Sequence, residues 1–243
     1  MPTSGYTQIG KIIEVLLLLK PRSILDIGVG NGKYGFLARE YLELWNHGDD
    51  SEPRRVTING VEGFQPYIGE VQRAIYDNII VGDALSATRT MTPGYDLVLL
   101  IDVLEHFDRL QGKELLEQCV RLGRNVLVST PKRVETQDSQ FENTLEVHRS
   151  QWSPSEIASR RGRLVIGERS SYLVLVGEDV KRVGRWLLYR RVERVSWLLA
   201  QAGLRLSRLG RVLAGHARRR HSWNSGRVGP EADSETDRDS EEL

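Results

Sequence analysis

Apolar residues along the chain follow two rhythms that alternate. Residues 5–20 carry apolar positions at helical spacing and are stopped by Pro21. Residues 23–27 (SILDI) form a short apolar run that predicts a strand, and 32–45 return to helical spacing. After a polar loop over 46–55, residues 56–61 alternate and are β-branched, predicting a second strand. A helix over 66–76, a strand over 78–81, a short helix over 84–90 and an almost wholly apolar strand over 95–101 follow. The last of these has the composition of a parallel strand buried on both faces. A helix over 109–122 and a strand over 125–129 complete the alternation.

Strand–helix alternation of this kind predicts a doubly wound, mostly parallel α/β sheet. Its end departs from the rhythm. Residues 163–167 and 172–177 read as strands separated by too few residues for a crossover helix, so they must pair antiparallel. The expected architecture is a Rossmann-like, seven-stranded sheet with a terminal antiparallel strand.

Charge divides the chain further. Its net charge of +1 over 243 residues hides an acidic first part, an arginine-rich stretch over 181–221 whose only acid is Glu193, and an acidic end over 231–243. Three segments are expected: a compact domain over 1–179, an amphipathic helical appendage over 180–221, and a disordered acidic tail over 222–243. In the appendage, Leu188, Val192, Val195, Leu199, Ala202, Leu206, Leu209 and Leu213 recur at alternating spacings of four and three. Arginines and two tryptophans fill its flanks. That combination fits a helix lying on an anionic membrane surface or a helix packed on the compact domain; coiled-coil pairing and specific nucleic-acid binding fit less well.

The single cysteine, Cys119, lies among leucines and reads as a buried thiol; with no second cysteine there is no disulfide and no cysteine-based zinc site. The spacing of the histidines and acids discloses no other metal-ligand set. The chain lacks a signal-peptide pattern and any run of about 20 apolar residues. A reducing, cytoplasmic setting is therefore expected, peripheral to the inner membrane surface if the appendage binds there.

The chemistry centres on ILDIGVGNGKYG, residues 24–35. Glycines after a first strand let the backbone approach a ligand closely. Gly30, Gly32 and Gly35 spell the dinucleotide pattern GxGxxG, which would make the chain a nicotinamide-dependent oxidoreductase. The turn begins earlier, at Gly28, and Asp26 stands at the strand end, where an acid suits a cation better than a pyrophosphate.

Asp26-Ile-Gly-Val-Gly-Asn-Gly32 resembles motif I of the class I S-adenosylmethionine-dependent methyltransferases. The resemblance runs from about residue 9 to 177. It includes INGVE ending at Glu62, VGDAL with Asp83, YDLVLLIDVLEHF over 95–107 and NVLVSTP over 125–131. It implies S-adenosylmethionine as cofactor, held by Asp26, Gly28, Gly30, Gly32, Glu62, Asp83 and Asp102, with Glu62 on the ribose hydroxyls and Asp83 beside the adenine. Residue 101–104 reads Ile-Asp-Val-Leu rather than Asn/Asp-Pro-Pro-Tyr, which argues against methylation of a nucleobase amine.

Two histidines compete as general base: His106, directly after the fourth motif, and His148, in EVHRSQWSPSEI. Arg149 and Trp152 flank His148 as candidate acceptor contacts, with Arg149 suited to a carboxylate or phosphate. Ser153 reads as a helix cap, and the polar stretch 135–143 as a mobile lid. Similar bacterial sequences with the EHF and HRSxW pattern imply O-methylation of a small, sugar or lipid-linked acceptor. A non-catalytic, methyltransferase-like module that recruits partners through its arginine-rich helix is the remaining alternative.

Overall fold

The computed structural model describes residues 5–44, 56–134, 143–157 and 162–201, with side chains to residue 197. The helix α1 (Ile9–Leu19) buries Ile12, Val15 and Leu16 and ends at Lys20 in the left-handed conformation, before Pro21. Then come β1 (Ser23–Ile27), α2 (Lys33–Arg39), β2 (Thr57–Glu62), α3 (Glu70–Ile75), β3 (Asn78–Val81), α4 (Ala84–Thr90) and β4 (Tyr95–Ile101). The helix α5 (Arg109–Leu122), β5 (Gly123–Pro131), β6 (Arg163–Ile166), β7 (Ser171–Gly177) and α6 (Val180–Gln201) complete the series.

One seven-stranded sheet results, in the order β3-β2-β1-β4-β5-β7-β6. Strands β1 to β5 pair in parallel, while β7 runs antiparallel to both β5 and β6. The order reverses between β1 and β4, the place where such sheets leave a crevice at their carboxyl ends. One face packs Leu25, Ile27, Val98, Leu100, Val126, Val128, Val174 and Val176 against α5 through Leu115, Leu116, Cys119 and Leu122. Cys119 is fully buried, and burial pushes its thiol up to about 12, so it has no nucleophilic character.

Two expected helices are shorter than their sequence rhythm. The run 32–45 divides into α2 and a π-turn at Glu40–Leu44; residue 45 and the loop to 55 lie outside the described residues. The run 66–76 divides because Ile68 and Gly69 are extended. A tight turn at Gln65–Tyr67 precedes them, and Gln72 Oε1 accepts from the Gly69 amide at 3.0 Å to start α3 afresh. Ser153 initiates a turn rather than a described helix: its amide donates to Glu156 Oε2 at 2.9 Å, and residues 158–161 lie outside the description. Most of the expected lid, 135–142, and the chain beyond 201 do so too.

The chain divides into two compact units, Met1–Trp186 and Leu187–Leu243. The first takes in the beginning of α6, where Val183 is buried, so its boundary falls later than the charge pattern places it. In the second, Leu188, Val192, Val195 and Trp197 expose 64%, 38%, 49% and 60% of their surface. No described helix is long and apolar enough to cross a membrane.

Candidate functional site

The glycine turn leaves β1 at its carboxyl end. Gly28, Gly30 and Gly32 all have positive φ, at +82°, +49° and +75°. A Cβ on Gly28 would come within 2.6 Å of Val103 Cγ2, so that glycine is required by packing as well as by conformation. Gly30 differs. A Cβ there would meet nothing nearer than the Gly28 carbonyl at 4.0 Å, so its surroundings are open to a ligand.

Two side chains pin this turn. Glu62, at the end of β2, accepts from the Gly30 amide through Oε2 at 2.8 Å and from the Phe64 amide through Oε1 at 2.9 Å. Gln72 Nε2 donates to the Gly30 carbonyl at 3.1 Å. Both oxygens of Glu62 thus have backbone donors, and each keeps a second lone pair.

Asp26 pairs in register with Gly60 on one side and Leu99 on the other, and is 2% exposed. Tyr76 Oη donates to its Oδ2 at 2.5 Å. Burial raises the Asp26 carboxyl to about 7, against the pull of the Tyr76 bond, and the nearby Glu62 charge adds to the rise. The sequence reading overlooks Tyr76, although it supports the whole turn. Its ring lies where a Cβ on Gly35 would stand, at 2.4 Å, and 3.2 Å from one on Gly60. Those two glycines, inside a helix and a strand, were the available signal.

At the end of β4, Asp102 has φ +53°, unusual for a residue with a side chain. It is held there by Gln8 Nε2 donating to Oδ2 at 2.7 Å, the Ser129 hydroxyl donating to Oδ1 at 2.5 Å, and its own amide donating to the Ser129 carbonyl at 3.0 Å. Burial raises its pKa, while Ser129, Gln8 and the Lys33 charge oppose the rise. Gln8, absent from the sequence-derived site, is fully buried here. Asp83 is exposed and caps α4, accepting from the Ser86 amide at 2.7 Å.

The segment carrying His148 docks onto the tight turn Leu104–His106. The amides of Arg149 and Ser150 donate to the Glu105 carbonyl at 2.7 and 3.1 Å. Ser150 Oγ donates to the Phe107 carbonyl at 2.7 Å, and Trp152 Nε1 to the Leu104 carbonyl at 3.1 Å. Trp152 is 1% exposed, with Gly112 of α5 making room for its ring. Trp152 is therefore a core residue rather than an acceptor contact: its indole N–H is shared between Ser150 Oγ at 2.7 Å and the Leu104 carbonyl. Arg149 is exposed. Upstream, Leu145 fills the space over Gly63, just past Glu62, so the segment spans from the β2 corner to the Leu104–His106 turn.

This docking unites the two histidines that compete in the sequence. Their ring centroids are 5.1 Å apart, and burial with the adjoining His148 lowers His106 to about 4, so its imidazole is neutral at physiological pH. Glu105 joins them: one ligating atom from each of Glu105, His106 and His148 lies within 4.8 Å of the others. His148 is distant in sequence from Glu105 and His106 and meets them only through the fold.

No protein-family model matches the chain, and no relative is found among curated proteins. Solved structures are similar at low identity. The N-terminal domain of EvdMO1, crystallised with SAH and D-fucose, aligns at 15% identity over 71% of this chain and 83% of that one, with a TM-score of 0.50. Monomeric WbdD aligns at 20% identity over 72% of this chain and 42% of that one, with a TM-score of 0.49. An O-methyltransferase family protein from Burkholderia thailandensis aligns at 15% identity over 69% of this chain, with a TM-score of 0.48; the match spans 54% of that protein. With its reversed strand order, its antiparallel β7 and its glycine turn after β1, the chain has the class I S-adenosylmethionine-dependent methyltransferase fold.

Proposed function

We propose that the protein is an S-adenosylmethionine-dependent methyltransferase acting on an oxygen of a small, sugar or lipid-linked acceptor. The observation that carries this reading is the convergence of an acid, an open glycine turn and a second acid at the carboxyl ends of adjacent strands. Asp26 attracts the cofactor's cationic methionine end, Gly28, Gly30 and Gly32 clear a path for it, and Glu62 accepts from the ribose hydroxyls. Asp83 borders the adenine, with Asp102 beside the methionine. A dinucleotide would instead bring a pyrophosphate toward Asp26.

The cofactor supplies an activated methyl group on its sulfonium. With the cofactor bound, the acceptor oxygen would form the new O–C bond as the S–C bond breaks with its pair returning to sulfur, and the acceptor's proton would pass to a base or to water. Alignment supplies much of the acceleration in such a displacement. The two candidate bases, neutral His106 and half-buried His148, stand together, which puts both at the acceptor end of the site. Arg149, exposed beside them, is placed for an acidic group on the acceptor.

Calorimetry of the full chain with S-adenosylmethionine and with NAD tests the cofactor. Binding of the first alone supports the reading, and binding of NAD alone overturns it. Release of S-adenosylhomocysteine across an acceptor panel separates an enzyme from a non-catalytic module.

We further propose that the arginine-rich segment 180–221 rests on an anionic membrane surface. The exposed Leu188, Val192, Val195 and Trp197 support this. The full chain should sediment with anionic vesicles, less so with neutral ones, and salt should weaken the association. Indifference to vesicle charge in low salt would refute it.

A further inference from the structure

We propose that Glu105, His106 and His148 bind one first-row divalent cation at the acceptor end of the site. Glu105 is 1% exposed, and its Oε2 makes no hydrogen bond of ordinary length, although the Thr130 hydroxyl and the Glu105 amide lie close to the carboxyl. Buried carboxylate oxygens without a donor are costly. The neighbouring acids do not share this defect: Asp26, Glu62 and Asp102 all have donors. Among the described residues, no lysine or arginine forms an ion pair with Glu105. What stands beside it is a pair of imidazoles, with one ligating atom from each of the three residues within 4.8 Å of the others.

Two imidazole nitrogens and one carboxylate suit zinc, manganese, iron or cobalt rather than magnesium or calcium, which prefer all-oxygen shells. Bonds of about 2.0–2.2 Å would draw the three atoms together by roughly an ångström. The scaffold around them is fixed. The Arg149 and Ser150 amides tie the His148 segment to the Glu105 carbonyl, while Ser150 Oγ and Trp152 Nε1 hold the turn from below. The Val147 carbonyl stands 3.4 Å from His106 Nδ1, the kind of outer partner that orients a ligating imidazole.

With three protein ligands, positions remain open on such a cation. Its role toward the acceptor rests on the methyltransferase reading; the site itself does not. A hydroxyl on an open position is acidified as bound water is, so the oxygen is presented to the methyl group already deprotonated. The two histidines then serve as ligands, and no protein base need lie in line with the methyl group.

Calorimetry of the metal-free full chain with cobalt(II) or zinc(II) chloride alone tests this. One saturable site is expected, with visible cobalt absorption bands and much weaker binding of magnesium. Glu105→Gln and His148→Ala should each weaken binding at least about tenfold, in line with the sensitivity of metal sites to their ligands. Circular dichroism and S-adenosylmethionine affinity should stay unchanged in both. A triple alanine variant of the remaining histidines, His47, His216 and His221, should keep the site. No saturable cobalt or zinc binding, or binding indifferent to both ligand variants, overturns the proposal. If S-adenosylmethionine binds and cations do not, the cation site fails and the methyltransferase reading stands. If cations bind and S-adenosylmethionine does not, the site stands and the methyltransferase reading fails.

Discussion

Asp26 offers a direct test of whether the glycine turn holds a cationic ligand. Its carboxyl is raised to about 7 by burial, so below that pH the folded protein carries it protonated. A cation placed over the turn interacts only with the ionised form, so binding must expel the proton. At pH 6 about nine-tenths of a proton should be released per S-adenosylmethionine bound; at pH 8 about a tenth. Affinity should rise about tenfold per pH unit up to 7, which is about 1.4 kcal/mol per unit, and level off above. Stability of the ligand-free protein should move the other way. The folded pKa lies above the unfolded value near 3.8, so stability falls as pH rises between about 4 and 7 and is flat above that window. Tyr76→Phe keeps the ring and deletes the hydroxyl. Losing a hydrogen bond to a charged group, about 1.5–3 kcal/mol, should carry the affinity plateau one to two pH units higher. The assay is calorimetry at several pH values, each in two buffers of different ionisation enthalpy, which counts protons directly. An affinity flat from pH 5.5 to 8.5, or a slope that survives in Asp26→Asn, would refute the reasoning.

Two further outcomes follow from packing and backbone geometry. Gly30→Val should abolish cofactor binding while leaving most of the fold's stability, because its φ of +49° disfavours a branched side chain and the space it would fill is open to ligand rather than core; normal affinity with circular dichroism intact would remove the premise. Trp152→Ala should cost about 3–5 kcal/mol in denaturant unfolding, as loss of a core indole does, and should weaken cobalt binding as well, since the ring's Nε1 holds the Leu104 carbonyl beneath the Leu104–His106 turn; cobalt affinity unchanged at a temperature where the variant is folded would show that the staple does not position the histidines.

The fold was legible because a parallel sheet buried on both faces writes itself as short apolar runs. The runs at 23–27, 56–61 and 95–101 all became strands within a residue or so of their expected ends. The helix over 66–76 was misjudged because periodicity does not register the extended backbone at Ile68 and Gly69, which Gln72 fixes through a side-chain bond. The placement of Asp26, the glycine turn and Glu62 was legible because they sit at strand ends, and a strand end is a position that sequence reveals. Trp152 was misassigned for the opposite reason: adjacency to His148 says nothing about which way a side chain faces in an irregular segment. Gln8 and Tyr76 went unseen because each acts across a long separation in sequence, on Asp102 and Asp26 respectively. Glu105, His106 and His148 are a cluster only after the Ser150 and Trp152 bonds are made.

The ring of Tyr76 occupies volume that Gly35 leaves vacant, so the two positions behave as one inherited unit. A methyl group at 35 is compatible with this backbone only if residue 76 shrinks, and a smaller residue 76 leaves a void unless Gly35 grows. Gly60 answers first to Val29, whose Cγ2 would lie 2.4 Å from a Cβ there. Exchange within the pair is not neutral, however, because the same ring carries the hydroxyl that Asp26 depends on. Homologues should therefore vary at 35 only in company with 76, and any lineage that trades Tyr76 for a small residue must find Asp26 another donor or give up the acid.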